Sequence, residues 1–306
     1  MFNDNHLNLG YNIADVQIKN PIMTASGTFG SGREYAEFID LNKLGAVVVK
    51  GVASKPWQGN PVPRIAETYG GMLNSIGLQN LGVDNFIKED IPFLRQFDTK
   101  IIVNIIGKTI EEYCEVAEKL FDADIDLIEL NISCPNIKEG GVSFGTNPNS
   151  AEEVTREVKK HCKQPLIVKL TPNVSDIVEI AKATEAAGAD AISLINTILG
   201  MAIDIHKRKP VLANIMGGLS GPAIKPIAVR MVYQVGKAVS IPIIGMGGIM
   251  TGEDAIEFIL AGASGVAIGT ANFANPRVTI DVLDGIIDYC NHYQIRDIKD
   301  IRGIII

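Results

Sequence analysis

The chain has 306 residues, 46% of them hydrophobic and 21% charged, with a formal net charge of −7. Such a composition supports a large aliphatic core, and the acidic balance excludes a nucleic-acid footprint, since the longest basic run is Lys207-Arg208-Lys209. No stretch approaches the ~18 apolar residues of a membrane span, and residues 1–6 lack the basic and apolar regions of a secretion signal, so a cytoplasmic location is expected, with neither membrane nor nucleic acid as partner.

Short runs rich in β-branched residues alternate with stretches of helical period, the pattern of a parallel sheet with crossover helices. In chain order, residues 7–9 and 15–19 are predicted to pair as an N-terminal β-hairpin beneath the sheet. Strands follow at 21–25, 46–50, 101–105, 127–131, 166–170, 191–195, 242–246 and 265–269. Eight such units predict an α/β fold, a TIM (β/α)8 barrel. Length does not force a division, because these barrels run to roughly 200–300 residues as one domain, so residues 1–306 are read as one unit. Thr109 with Glu112 and Ser150 with Glu153 read as capping boxes, and Gly188 as the end of the helix that starts near Ser175. Connections 51–84, 132–149 and 196–225 are too long for minimal loops and are expected to extend over the C-terminal mouth, where barrels build their sites.

Polar residues fall at the C-terminal ends of the predicted strands: Lys50, Asn104, Asn131, Lys169 and Asn196. Any one of them could merely cap its strand. A buried polar group without a partner costs ~1–3 kcal/mol and a charge more, so five on one face point to a shared ligand with several acceptors. Gly247-Gly248 follows the seventh strand and Gly269-Thr270 the eighth, where barrels often hold a phosphate against backbone N–H groups; Gly221 offers a further close backbone approach.

The four cysteines, at 114, 134, 162 and 290, form no C-x-x-C pair, and the four histidines show no ligand spacing, so no disulfide framework, iron–sulfur site or catalytic metal is expected on this chain. His161 and His206 have no evident partner in the sequence. Cys114, Cys162 and Cys290 read as small core hydrophobes. Cys134 differs, because it lies just past a strand end among polar neighbours, where a thiol whose ordinary pKa is ~8.5 can act as a general base near neutral pH.

Three segments carry a resemblance: Asn131-Ile132-Ser133-Cys134-Pro135-Asn136, Asn74-Ser75-Ile76-Gly77-Leu78-Gln79-Asn80 and Thr24-Ala25-Ser26-Gly27-Thr28-Phe29-Gly30. Together they resemble class 1 dihydroorotate dehydrogenases, from Asn20 to about Phe273. Ile192-Ser193-Leu194-Ile195-Asn196-Thr197 and the stretch from Gly218 to Pro226 look like the NAD-linked 1B branch. Leu81 stands where the family often has proline, which bears only on the stiffness of its loop.

The resemblance implies FMN across the barrel mouth, touched by Ser26, Lys50, Gly51, Asn104, Asn131, Lys169, Ile195 and Gly221, its phosphate on Gly247, Gly248, Gly269 and Thr270. It implies dihydroorotate stacked on the flavin, its carboxylate and ring amides met by Lys50, Asn74, Asn131, Asn136, Asn196 and Thr197, with Ser75, Ile76, Gly77 and Leu78 completing the pocket. Cys134 would remove the C5 proton while hydride leaves C6 for the flavin, yielding orotate. The chain shows neither a G-x-G-x-x-G unit after a strand nor a cysteine cluster, so a second polypeptide is needed to reoxidise the flavin; the resemblance implies that this is an electron-transfer subunit carrying FAD and a 2Fe–2S cluster, around a homodimeric core in a heterotetramer. The alternatives are the fumarate-linked 1A branch, a flavin-free phosphate-binding barrel lyase or isomerase, and a non-catalytic scaffold.

Overall fold

A computed structural model describes residues 7–133 and 144–305. Its centre is a closed barrel of eight parallel strands: β3 (Ile22–Thr24), β4 (Ala46–Val48), β7 (Lys100–Ile105), β8 (Leu127–Asn131), β9 (Leu166–Lys169), β10 (Ala191–Leu194), β15 (Ile243–Met246) and β16 (Gly265–Ile268), which pairs back onto β3. All eight predicted strands are present, each within two residues of its expected ends. Side-chain alternation does the sorting. Ile101, Val103, Ile128, Leu130 and Val168 face outward onto the helices. Ile102, Leu127, Ile167, Ala191 and Ile244 fill the interior below the mouth. Each fully buried Ile, Leu or Val side chain among them contributes ~1.5–3 kcal/mol.

The hairpin differs in register from its expectation. It pairs β1 (Tyr11–Ile13) with β2 (Val16–Ile18) through a two-residue turn, while Asn8 makes only an isolated bridge to Asp297. Tyr11, Ile13 and Ile18 join the interior cluster with Met23, Val48 and Ala267, so this hairpin is the barrel's floor.

Helices cross over between the strands, among them Ile110–Leu120, Pro148–Lys160, Ile177–Ala186, Lys225–Gly236, Gly252–Leu260 and Val278–His292. Thr109 Oγ1 accepts from the Glu112 amide at 3.3 Å as expected, although the Glu112 carboxylate reaches back to Lys108 N, at 2.7 Å. Ser150 is not a cap. Asn147 is, with Oδ1 accepting from the amides of Asn149 and Ser150 and Pro148 in the first helical position, where proline loses no helical hydrogen bond. Gly188, with φ +98°, follows the end of helix Ile177–Ala186 as expected.

The long connections fold into a second sheet that the sequence reading left as loop. β5 (Ile65–Thr68) and β6 (Gly71–Asn74) form a hairpin; β11 (Ile198–Met201) and β14 (Met216–Ser220) form another; β6 and β14 pair antiparallel with Gly218 opposite Asn74. The order β11-β14-β6-β5 gives a four-stranded antiparallel roof. A two-residue pair, β12 (Ile203–Asp204) with β13 (Lys209–Pro210), carries the basic run. Among the described residues no helix is long and apolar enough to cross a membrane.

Candidate active site at the barrel mouth

One cavity opens between the barrel's C-terminal edge and the roof. It is lined by Ser26, Lys50, Gly51, Asn104, Asn131, Lys169, Ile195 and Gly221, by Gly247, Gly248, Gly269 and Thr270, and by Asn74, Ile76, Gly77, Leu78, Asn196 and Thr197. Thus every site residue expected from sequence that is described lines this cavity, except one. Ser75 is 1% exposed and stands behind the wall: its amide donates to Arg64 O at 2.7 Å, and its hydroxyl accepts from Asn60 Nδ2 at 3.2 Å. Cys134 and Asn136 lie outside the described residues.

Strand alternation explains the convergence. Asn104 is two residues beyond Ile102, Asn131 is four beyond Leu127, Lys169 is two beyond Ile167, and Lys50 is two beyond Val48. Each continues an inward-facing row upward from the apolar floor into the mouth. Register then sets neighbours side by side, with Asn131 and Ser193 both opposite Lys169.

These polar groups are wired together. Glu129 Oε1 accepts from Asn104 Nδ2 at 2.6 Å and its Oε2 from Ser193 Oγ at 2.7 Å. Asn131 Nδ2 donates to Asn104 Oδ1 at 3.3 Å, and Asn131 Oδ1 accepts from Ser133 Oγ at 2.6 Å. Asn196 Nδ2 donates to Ser133 Oγ at 2.7 Å, and Lys169 Nζ donates to Ser26 Oγ at 3.0 Å. Glu129, Ser133 and Ser193 were missed by the sequence reading. The available signal was Glu129 itself, a carboxylate inside the apolar run Leu127-Ile128-Glu129-Leu130 and in phase with Asn131.

Two features mark the cavity as built for an anionic ligand. The Lys50 ammonium has no hydrogen bond or ion pair among the described residues, and its pKa lies below the ordinary lysine value because burial disfavours the charge and Arg64 repels it. Elsewhere on the same lining, at Gly221 and Gly248, the backbone is packed too closely for side chains. A Cβ on Gly248, where φ is +83°, would lie 2.8 Å from Gly221 O, and one on Gly221, φ +102°, 2.6 Å from the Gly71 Cα. Only glycine fits, which leaves bare main chain facing the cavity. Thr270 Oγ1 donates to Ser220 Oγ at 2.7 Å beside it. A ligand with a phosphate at one end and polar ring edges at the other fits these donors, as FMN does.

The remaining candidates separate cleanly. Burial pushes the Cys162 thiol up to about 12 and that of Cys290 to about 11, and raises Cys114 with help from Glu118 and Glu157. Such thiols stay protonated and unreactive near neutral pH. His161 does have a partner, contrary to expectation: its Nδ1 lies 2.7 Å from Glu118 Oε1.

Comparison with known proteins agrees with this geometry. A family profile described as dihydroorotate dehydrogenase matches residues 8–289. A protein of Alkaliphilus metalliredigens named dihydroorotate dehydrogenase B (NAD(+)), catalytic subunit, is 75% identical over 297 residues, covering 97% of this chain and 98% of its own length. The protein of that name from Lachnoclostridium phytofermentans is 62% identical over 299 residues, 98% of this chain and 100% of its own. With the barrel, the polar mouth and matches along nearly its full length, the chain belongs to the dihydroorotate dehydrogenase family.

Proposed function

We propose that this chain is the catalytic subunit of an NAD-linked, class 1B dihydroorotate dehydrogenase of the cytoplasm, its residues 1–306 forming one FMN-binding domain that oxidises dihydroorotate to orotate in pyrimidine biosynthesis. The observation that carries this reading is the meeting of Lys50, Asn104, Asn131 and Lys169 with the bare glycine backbone in a single cavity.

FMN, when bound, supplies the acceptor for the hydride from substrate C6. Gly247, Gly248, Gly269 and Thr270 would hold its phosphate, while Ser26, Gly51, Ile195 and Gly221 would frame the rest of it. Lys169 would set its ammonium group against the negative charge that reduction adds to the flavin, and its bond to Ser26 fixes that group in advance of the reaction. Lys50 takes the substrate carboxylate in a charge-assisted hydrogen bond, filling a position that has no partner among the described residues. Asn74, Asn131, Asn136, Asn196 and Thr197 orient the ring and carboxylate, with the Ser75 to Leu78 segment as the adjoining wall. Cys134 accepts the C5 proton, which the neighbouring carbonyl acidifies. The roof sheet keeps water from the reacting atoms.

A second subunit carrying FAD and a 2Fe–2S cluster would supply the route for electrons to NAD, with the catalytic chains pairing as a homodimeric core. The relatives' name, catalytic subunit of an NAD(+) enzyme, supports that assembly. The test is the visible spectrum of the purified chain before and after anaerobic dihydroorotate. A yellow protein that bleaches is expected; a colourless protein, or a yellow one unchanged by dihydroorotate, would overturn the reading.

A further inference from the structure

Lys50 and Lys169 line the cavity, and Glu129, a charged side chain on the same inward-facing phase, does not. Glu129 is 1% exposed and has no cation within ion-pair distance among the described residues. Its two oxygens each receive one donor, Asn104 Nδ2 from β7 and Ser193 Oγ from β10. Both donors belong to strands that feed the cavity. Asn104 itself lines it, and Ser193 lies opposite Lys169 in the ladder. The carboxylate therefore occupies the layer immediately below the polar mouth, between the apolar floor and the two lysines.

We infer that Glu129 lowers the reduction potential of the flavin seated above it, acting as a fixed negative charge whose reach Asn104 and Ser193 trim. This inference rests on the FMN reading above. Hydride transfer would move two electrons and one proton from substrate C6 to the flavin and leave the flavin one negative charge richer, while the substrate's C5 proton goes to the base. A carboxylate in the next layer opposes that added charge, as Lys169 favours it. In a medium of effective dielectric ~20, a unit charge ~10 Å away shifts such an equilibrium by roughly tenfold or more. Desolvated side chains cannot rearrange to cancel it. The result is a flavin easier to reoxidise, suited to handing electrons to a nicotinamide acceptor through a partner. Glu129 is a positioning residue, because it acts through Asn104 and through its field.

Glu129→Gln keeps the shape and the acceptor facing Asn104 while removing the charge. Ser193→Ala keeps the charge and removes a dipole that faces it. The measurement is the midpoint potential of bound FMN, read against a reference dye in the intact protein. Glu129→Gln should move the equilibrium at least tenfold toward reduced flavin, about 30 mV for a two-electron couple, with FMN stoichiometry unchanged. Ser193→Ala should move it the opposite way, at least twofold. Opposite signs are the signature, since a merely structural loss would move both variants alike. A shift under twofold in Glu129→Gln overturns the inference. Should that variant fail to hold FMN, Ser193→Ala decides alone: no shift, or a shift toward reduced flavin, overturns it. A parent protein without FMN would instead sink the functional reading.

Discussion

Lys50 is the residue whose chemistry is most exposed to test. Its ammonium is half-buried and without a partner among the described residues, and burial followed by Arg64 repulsion holds its pKa below the ordinary lysine range. Only the protonated form offers an anion a charge-assisted bond. Affinity for orotate should therefore be flat at pH below the free Lys50 pKa and fall about tenfold per pH unit above it, with protons taken up on binding in that window. Calorimetry in buffers of different ionisation enthalpy reads that uptake; none at any pH would remove Lys50 from the carboxylate. For Cys134, replacement by alanine should leave FMN bound and slow its reduction by dihydroorotate ~10²–10⁴-fold, the usual worth of a general base. Stopped-flow absorbance measures the rate, and equal rates in mutant and parent would free Cys134 of that role.

At the scale of elements, the glycine backbone proposed to hold the phosphate is tightly constrained. Gly248→Ala would place a Cβ 2.8 Å from Gly221 O at a φ of +83°, a strain of ~1–3 kcal/mol. Its expected outcome is a lower melting temperature and a flavin-to-protein ratio well below the parent's, both readable on one preparation by absorbance and calorimetry. The elements also divide what the sequence made legible from what it hid. Barrel strands were readable because aliphatic runs punctuated by terminal Lys or Asn repeat in phase, and that same phase placed Lys50, Asn104, Asn131 and Lys169 together. The roof was hidden because its strands are short and glycine-rich and pair across long separations, as in the Asn74–Gly218 hydrogen bond with |i−j| of 144. Hairpin β1–β2 was set out of register because its turn begins at Ala14, whose φ of +50° carries no glycine or asparagine signal. Ser150 drew the cap from Asn147 because a Ser-x-x-Glu pattern competes with Asn-Pro, and the proline decided the matter by fixing the first helical residue. Glu129 read as an interruption of an apolar strand, since a sequence shows neither Asn104 nor Ser193 reaching it.

The whole molecule is layered from a greasy floor to a polar mouth. Tyr11 anchors the floor, with a buried hydroxyl that has no hydrogen-bond partner among the described residues. Burial raises its pKa far above the phenolic range. Because an unsatisfied buried donor costs ~1–3 kcal/mol, Tyr11→Phe should hold or raise stability by up to about that amount and leave flavin content unchanged. Thermal unfolding of holoprotein checks this; a clear loss of stability would mean the hydroxyl is satisfied after all.

That stopper also governs traffic. With Tyr11, Ile13 and Ile18 corking one end of the barrel, the chamber above is a cul-de-sac, so substrate and product must both use the roofed side. A redox partner docking there has to leave a doorway beside itself, or turnover would stall with orotate trapped inside.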